Sequence, residues 1–320
     1  MNWVITGGAG FIGVNLIRVL QQDQENKIRV FDNLSVGTRA DLERVTSFTE
    51  VEAGTAFSDE LQLFVGDITD ASDALNACEG ADVIVHLAAN TGVGPSVENP
   101  RQDCVSNVMG VLNVLEAARA HGVKRFVFAS SGAPVGECEP PIHENKVARP
   151  VSPYGASKLA GEAYCSAYYR TFGIETVALR FGNVYGPYSG KKSSVVAKFI
   201  KQAQNGETLE IYGNGQQTRD FIYVEDLVSA ILKAAHVANI GGEIFQIATN
   251  KESTVLELLH EMTPLLEEHL GSKVEMIYSE PRLGDVMRNY SDTSKAKEQL
   301  GWTADTGLET GLVATIQFFK

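Results

Sequence analysis

Six short β-rich runs alternate with stretches of helix length over the first 181 residues, and that alternation leaves few folds open. The runs are "NWVIT" (2–6), "KIRVF" (27–31), "LQLFV" (61–65), "ADVIVHL" (81–87), "RFVFAS" (125–130) and "ETVALRF" (175–181). Between them lie amphipathic segments such as "FIGVNLIRVLQQ" (11–22), "NVMGVLNVLEAARAHG" (107–122) and "SPYGASKLAGEAYCSAYYRTFG" (152–173). Strands apolar on both faces must be covered on both, and helix-length connections between them imply right-handed βαβ crossovers. The pattern predicts an α/β fold built on a doubly wound parallel sheet.

After about residue 182 the pattern is less regular. It holds a loop rich in Gly, Lys and Ser (186–194), a helix near 195–205, a short "LEIYG" strand, and "DFIYVEDLVSAILKAA", which reads as a return to the first unit. "STVLELLHEMTPLLEEHLG" opens with a capping box from Thr254 to Glu257 and carries Pro264, which predicts a kink. The expected organisation is a cofactor-binding unit over 1–181 with a return segment at about 220–248. A smaller mixed α/β unit over 182–320 completes it, with the site in the cleft between them.

Charge narrows the partners. The 320 residues carry 27 Lys and Arg against 40 Asp and Glu, a net charge of −13. A nucleic-acid-binding surface needs clustered basic residues, so that class is excluded, and an anionic ligand must be met by a few placed guanidiniums. Four cysteines (Cys78, Cys104, Cys138, Cys165) form no Cys-x-x-Cys pair, and the histidines lack ligand spacing, so buried free thiols and no metal are expected. No apolar run reaches the roughly 18 residues that span a bilayer, and "MNWVITGG" enters a strand without a leader. The expectation is a cytoplasmic protein.

"VITGGAGFIG" places Gly7, Gly10 and Gly13 between the first strand and a helix. Glycines there let the backbone turn sharply and approach a pyrophosphate, which the helix N-terminus receives with free N–H groups. The triplet alone is a weak signal; its strand–helix context makes the sheet Rossmann-type. Asp32 ends the second strand, where a carboxylate accepts bonds from ribose hydroxyls and repels a 2′-phosphate. NAD is therefore expected over NADP. Asp67 and Ile68 after the third run, and Leu87, Ala88 and Ala89 after the fourth, stand where the rest of the cofactor should lie.

"SPYGASK" sets Tyr154 and Lys158 four apart on one helix face. An ammonium beside a phenol favours the phenolate and, with a nicotinamide cation, should bring Tyr154 toward neutrality, fit to act as general base or acid. Taken alone, Tyr-x-x-x-Lys is frequent by chance.

Together with "TGGAGFIG", "GDI" (66–68), "HLAA" (86–89), "SS" (130–131), "LRFGNVYGP" (179–187), "YGNGQQTRDFIYVEDL" (212–227) and "PRLGDVMRNYSDTSKA" (281–296), the chain resembles an extended short-chain dehydrogenase/reductase. Within that family it is most similar to the nucleotide-sugar epimerases and dehydratases, the UDP-galactose 4-epimerase-like enzymes in particular. The resemblance implies that Tyr154 is the acid/base, that Lys158 binds the nicotinamide ribose and tunes Tyr154, and that Ser131 bonds the sugar hydroxyl. It also implies Phe11, Ile12, Asn33, Ser35 and Gly37 as cofactor contacts. For the sugar nucleotide it implies Thr91, Asn183, Val196, Tyr212 and Asn289, with Arg219 and Arg282 on the diphosphate and Asp285 on its ribose. A homodimer through the helices around 100–120 and 152–172 is implied as well.

The chain departs from the family pattern at Val135, where an aromatic is usual, at Val111 in place of threonine, and at Ala197 in place of proline. One departure separates reaction types. Related 4,6-dehydratases carry an Asp-Glu pair directly after the Ser/Thr, and decarboxylases a glutamate at the second of these positions. Here stand Gly132 and Ala133, which transfer no proton, so elimination is disfavoured and hydride chemistry remains. The expected activity is inversion at C4 of a UDP-hexose through a 4-keto intermediate. Asn289, where some 4-epimerases carry a bulky tyrosine, favours tolerance of a 2-acetamido group, with UDP-glucose and UDP-glucuronate enzymes left open. The competing readings are a nucleotide-sugar 4-ketoreductase and a non-catalytic NAD-binding sensor.

Overall fold

The computed structural model describes residues 1–192, 194–280 and 286–319. In chain order its elements begin β1 (Asn2–Thr6), α1 (Phe11–Leu20), β2 (Lys27–Asp32), α2 (Arg39–Glu43), β3 (Phe48–Glu50), β4 (Leu61–Val65), α3 (Ala71–Ala77) and β5 (Val83–His86). Next come α4 (Val93–Glu98), α5 (Pro100–Cys104), a π-helical turn at Val105–Met109, α6 (Gly110–Ala120), β6 (Arg125–Ser131), α7 (Pro153–Phe172) and β7 (Glu175–Phe181). Then follow β8 (Asn183–Tyr185), α8 (Val195–Gln204), β9 (Leu209–Tyr212), β10 (Thr218–Arg219), β11 (Phe221–Tyr223), α9 (Val224–His236) and β12 (Glu243–Ile247). The last are β13 (Ser253–Thr254), α10 (Val255–Leu270), β14 (Met276–Ser279) and α11 (Leu308–Phe318).

Eight parallel strands form one sheet in the order β12-β7-β6-β5-β1-β2-β4-β3. Its faces follow from the period of two along each strand. Val4, Phe31, Ile84, Phe126 and Phe128 face one core with residues of α3, α6 and α7, while Trp3, Ile5, Val30, Val85 and Val127 face the other with α1 and α9. Each such fully buried side chain contributes about 1.5–3 kcal/mol, so the alternation locks the register. Order reverses at β1: β2 and β4 lie on one side, β5 and β6 on the other. The crevice at the carboxyl ends of β1 and β5 is where ligands bind in open α/β sheets.

The six expected strands are present, with β5 shorter than its apolar run because the chain turns at Ala81 on its bond to Cys78. Two further strands join them. Phe48–Glu50 is a three-residue, largely exposed edge, too short to show a period, and Glu243–Ile247 pairs in parallel with β7 at the other edge of the sheet. The capping box at Thr254 is formed in both directions, and α10 runs on through Pro264 as one helix to Leu270. Cys78 and Cys165 are buried, but Cys104 is exposed and Cys138 half-buried, which corrects the expectation of four buried thiols.

Candidate active site

Helix α1 starts at the switch point with Gly10 as its N-cap and no side-chain cap, so its first-turn N–H groups are open to an anion. Gly7 has φ 67°, and a Cβ there would stand 2.7 Å from the Ala88 nitrogen. The loop thus lies directly against the segment after β5, where Leu87 N–H bonds Thr6 O at 3.1 Å and Ala88 N–H bonds Thr6 Oγ1 at 3.1 Å. Gly13 packs on Gly8, and a Cβ on Gly37 would stand 2.3 Å from the Ala9 backbone. Phe11 and Ile12 open the helix; Ala89 continues the β5 segment.

Asp32 is buried, its carboxylate accepting the N–H of Ala9 at 3.0 Å and of Leu34 at 2.8 Å. Burial raises its pKa above the carboxylate range. Two of about four acceptor positions are used, which leaves room for ribose hydroxyls. Asn33 reaches across to Asp67 at 2.8 Å and accepts the Ser35 N–H at 3.0 Å. Asp67 loses solvation, which pushes its pKa up, but bonds from Thr69 and Asn33 outweigh that and hold it low. Ile68 rests on Gly110 of α6, and its carbonyl accepts from Asn113 at 2.9 Å. The loop therefore fits a dinucleotide with a free ribose diol.

Helix α7 is capped by Ser152, whose Oγ accepts the Gly155 N–H at 3.1 Å, with Pro153 in its first turn. Gly161 lets it lie on β6: a Cβ there would stand 2.4 Å from the Phe128 ring. Lys158 is thereby buried and donates to Ala129 O at 2.8 Å, with Nζ 5.8 Å from the Tyr154 ring centroid. Burial lowers its pKa to about 8 despite Asp103 and Glu162. Tyr154 is pushed the opposite way from expectation, up to about 12, because burial outweighs its hydrogen bond with Ser131. In the ligand-free protein, then, the lysine does not bring the tyrosine toward neutrality.

The two serines of β6 have different surroundings. Ser130 Oγ donates to Glu162 Oε1 at 2.5 Å, and Arg180 holds the same carboxylate through two bonds of 2.7 Å, all buried. Ser131 stands at the strand end and accepts the Ala133 N–H at 3.2 Å. A Cβ on Gly132 would meet nothing within 4 Å, so there is room for an acid where none stands. Val135 is buried.

Sequence reasoning missed Glu162 and Arg180, which lie 18 residues apart on different elements, and also Asn107. Asn107 sits in the π-helical turn and bonds Asn90 twice at 2.8 Å, Asp103 at 2.8 Å and Ser157 at 3.3 Å. It ties the β5 segment to α7. Such turns cluster at functional sites.

On the opposite side of the cleft, β8 pairs with β11, and Asn183 N–H bonds Asp220 O at 2.8 Å. Arg219 donates to Thr218 O and Val286 O, both at 2.7 Å, and Asn289 N–H bonds Thr218 Oγ1 at 3.2 Å. Asn183, Arg219 and Asn289 are thus brought to neighbouring strands and loops. Tyr212 Oη donates to Glu210 at 2.6 Å and lies under Lys198. Thr91 is exposed between β5 and α4. The Val196 side chain is in the core, so what it can offer a ligand is its main chain in the first turn of α8, not a side-chain contact. Arg282 and Asp285 lie outside the described residues.

An open helix N-terminus at the switch point of a parallel sheet, with Ser, Tyr and Lys on the next strand and helix, defines a short-chain dehydrogenase/reductase. Residues 3–248 match the family model described as NAD dependent epimerase/dehydratase family. The chain is 34% identical over 325 residues to the UDP-glucose 4-epimerase of Mycolicibacterium smegmatis, covering 100% of this chain and 99% of that one. Among solved structures it is similar to the UDP-glucose 4-epimerase of Thermotoga maritima with UDP-glucose, at 35% identity, TM-score 0.88 and coverage of 100% and 98%. It is likewise similar to the UDP-glucose 4-epimerase of Thermus thermophilus in complex with NAD, at 32% identity, TM-score 0.85 and coverage of 100% and 99%. The chain belongs to the NAD dependent epimerase/dehydratase family.

Proposed function

We propose that this protein is an NAD-dependent nucleotide-sugar 4-epimerase acting on a UDP-hexose. The observation that carries the reading is the meeting of Ser131, Tyr154 and Lys158 on the same parallel sheet that carries the glycine loop, with Gly132 and Ala133 where an eliminating enzyme needs acids. NAD, held by the glycine loop and Asp32, would supply hydride-acceptor and hydride-donor chemistry at C4. Ser131 holds the C4 hydroxyl, and the Tyr154 oxygen accepts its proton and later returns it. Lys158, fixed by Ala129, holds a positive charge near the phenol and within reach of a ribose hydroxyl. Asp32 selects the unphosphorylated adenosine ribose.

Inversion requires the keto sugar to turn over while its nucleotide stays in place, so binding energy must come from parts remote from the reacting carbon. Arg219, with Arg282 in the sequence beyond it, meets the diphosphate, and Arg suits that bidentate geometry. Asn183 and Asn289 meet the sugar, and Asn289 can hydrogen-bond a 2-acetamido group, which supports acceptance of UDP-N-acetylhexosamines beside the plain hexoses.

We further infer a cofactor-binding unit over 1–181 with its return segment, and a substrate unit over 182–320. The assembly is a homodimer through the helices around 100–120 and 152–172, where Val105, Met109 and Phe172 are exposed. Among the described residues no helix is long and apolar enough to cross a membrane, and a cytoplasmic setting suits a nucleotide-sugar enzyme. The test is nucleotide content and demand. Protein purified without added cofactor should release stoichiometric NAD on heating and convert UDP-hexoses without accumulating NADH. Turnover that requires added NADPH and a 4-keto sugar would replace this reading with a ketoreductase.

A further inference from the structure

Two successive lysines follow β8, and they face different ways. Lys191 Nζ is paired with Asp41 and, at 3.2 Å, with Thr38 Oγ1, tying this loop to α2 beside the cofactor loop. Lys192 turns inward. Its Nζ donates to Val184 O at 3.2 Å and stands 5.3 Å from the ring centroid of Phe11, the first residue of α1. Burial alone lowers its pKa to about 8, with no carboxylate among the described residues acting on it.

Lys192 is half-buried and its ammonium is held by a carbonyl rather than by a carboxylate, an arrangement that a bound anion would favour. A surface loop that wanted only an anchor has it already in Lys191. The position of Lys192 indicates which anion that would be. On one side is the helix start whose free N–H groups receive the cofactor pyrophosphate; on the other is Val184, next to Asn183 on the substrate strand. Both nucleotides in the proposed reaction carry a diphosphate.

We propose that Lys192 is a further binding residue of the reaction: its ammonium binds a diphosphate oxygen of a bound nucleotide at the seam between the cofactor loop and β8. This rests on the nucleotide-sugar reading above. The shared chemistry is a nucleoside diphosphate, and the source is either the dinucleotide or the sugar nucleotide.

The experiment is calorimetric titration of K192M and wild type with UDP, on NAD-loaded protein, together with the affinity for NAD measured on protein stripped of it. K192R serves as the charge-retaining control, and K192Q repeats the neutral substitution should K192M not fold. The expected result is a loss of about tenfold or more for one of the two ligands in K192M, partly restored in K192R, with the melting temperature of the ligand-free protein unchanged. Loss confined to NAD assigns the phosphate to the cofactor, and loss confined to UDP assigns it to the substrate. Wild type that binds both, with K192M within twofold of it on both, overturns the lysine assignment alone. Wild type that binds neither overturns the functional reading and the lysine assignment with it.

Discussion

The cofactor side and the substrate side of the cleft are built from different materials. On the cofactor side the working groups are main-chain N–H donors and glycine approaches at strand ends, with Asp32 held by Ala9 and Leu34. On the substrate side the proposed contacts are side chains from separated segments, Asn183, Arg219 and Asn289, held by two-stranded pairings and loop bonds. A backbone site is fixed by the fold and serves one ligand. A side-chain site can exchange its ligand by substitution without refolding the sheet, so a single scaffold can take different sugars.

The comparison can be broken at the boundary where both sides meet. Tyr154→Phe removes the oxygen proposed to exchange the proton, and turnover should fall by roughly 10²–10⁴-fold while NAD stays bound. A variant retaining more than a few per cent of activity would remove Tyr154 as the base. Next in size is Asp32→Ala, which deletes charge-assisted bonds of about 1.5–3 kcal/mol and should weaken NAD far more than NADP. Unchanged selectivity in a fluorescence titration would mean that another group reads the ribose.

Lys158→Met sharpens the electrostatics. Burial holds the phenol at about 12 and lowers the ammonium, bonded to Ala129, to about 8, so the lysine can add to the effect of the nicotinamide cation on the phenol only below that pH. Removing the charge should move the rising limb of the pH–rate profile upward by about one unit. A limb that stays in place would assign the tuning to the cofactor alone. Smallest is Asn289→Tyr, which should lower the rate on UDP-GlcNAc relative to UDP-glucose by about tenfold at most. An unaltered ratio would take Asn289 out of the specificity argument.

What the sequence made legible follows the same division. The glycine loop, Asp32, the buried strands and the Thr254 capping box each depend on a local pattern of residue type and spacing, and all are present in the fold. Asn107, Glu162 with Arg180, and Lys192 depend on distant segments meeting, and no local spacing announces them. The engagement of Lys158 by the Ala129 carbonyl came only with the packing of Gly161 on Phe128. Exposure of Cys104 followed from its position at the end of α5, next to a π-helical turn that no periodicity predicts.

The central claim is a self-contained hydride cycle, in which the cofactor is regenerated at each turnover. The direct measurement is proton NMR of the sugar anomeric signals while the purified protein, without added cofactor, is incubated separately with UDP-GlcNAc, UDP-glucose and UDP-glucuronate. The account predicts growth of the C4 epimer of at least one sugar to equilibrium with no net NADH. No change in any of the three, with and without added NAD, would contradict it.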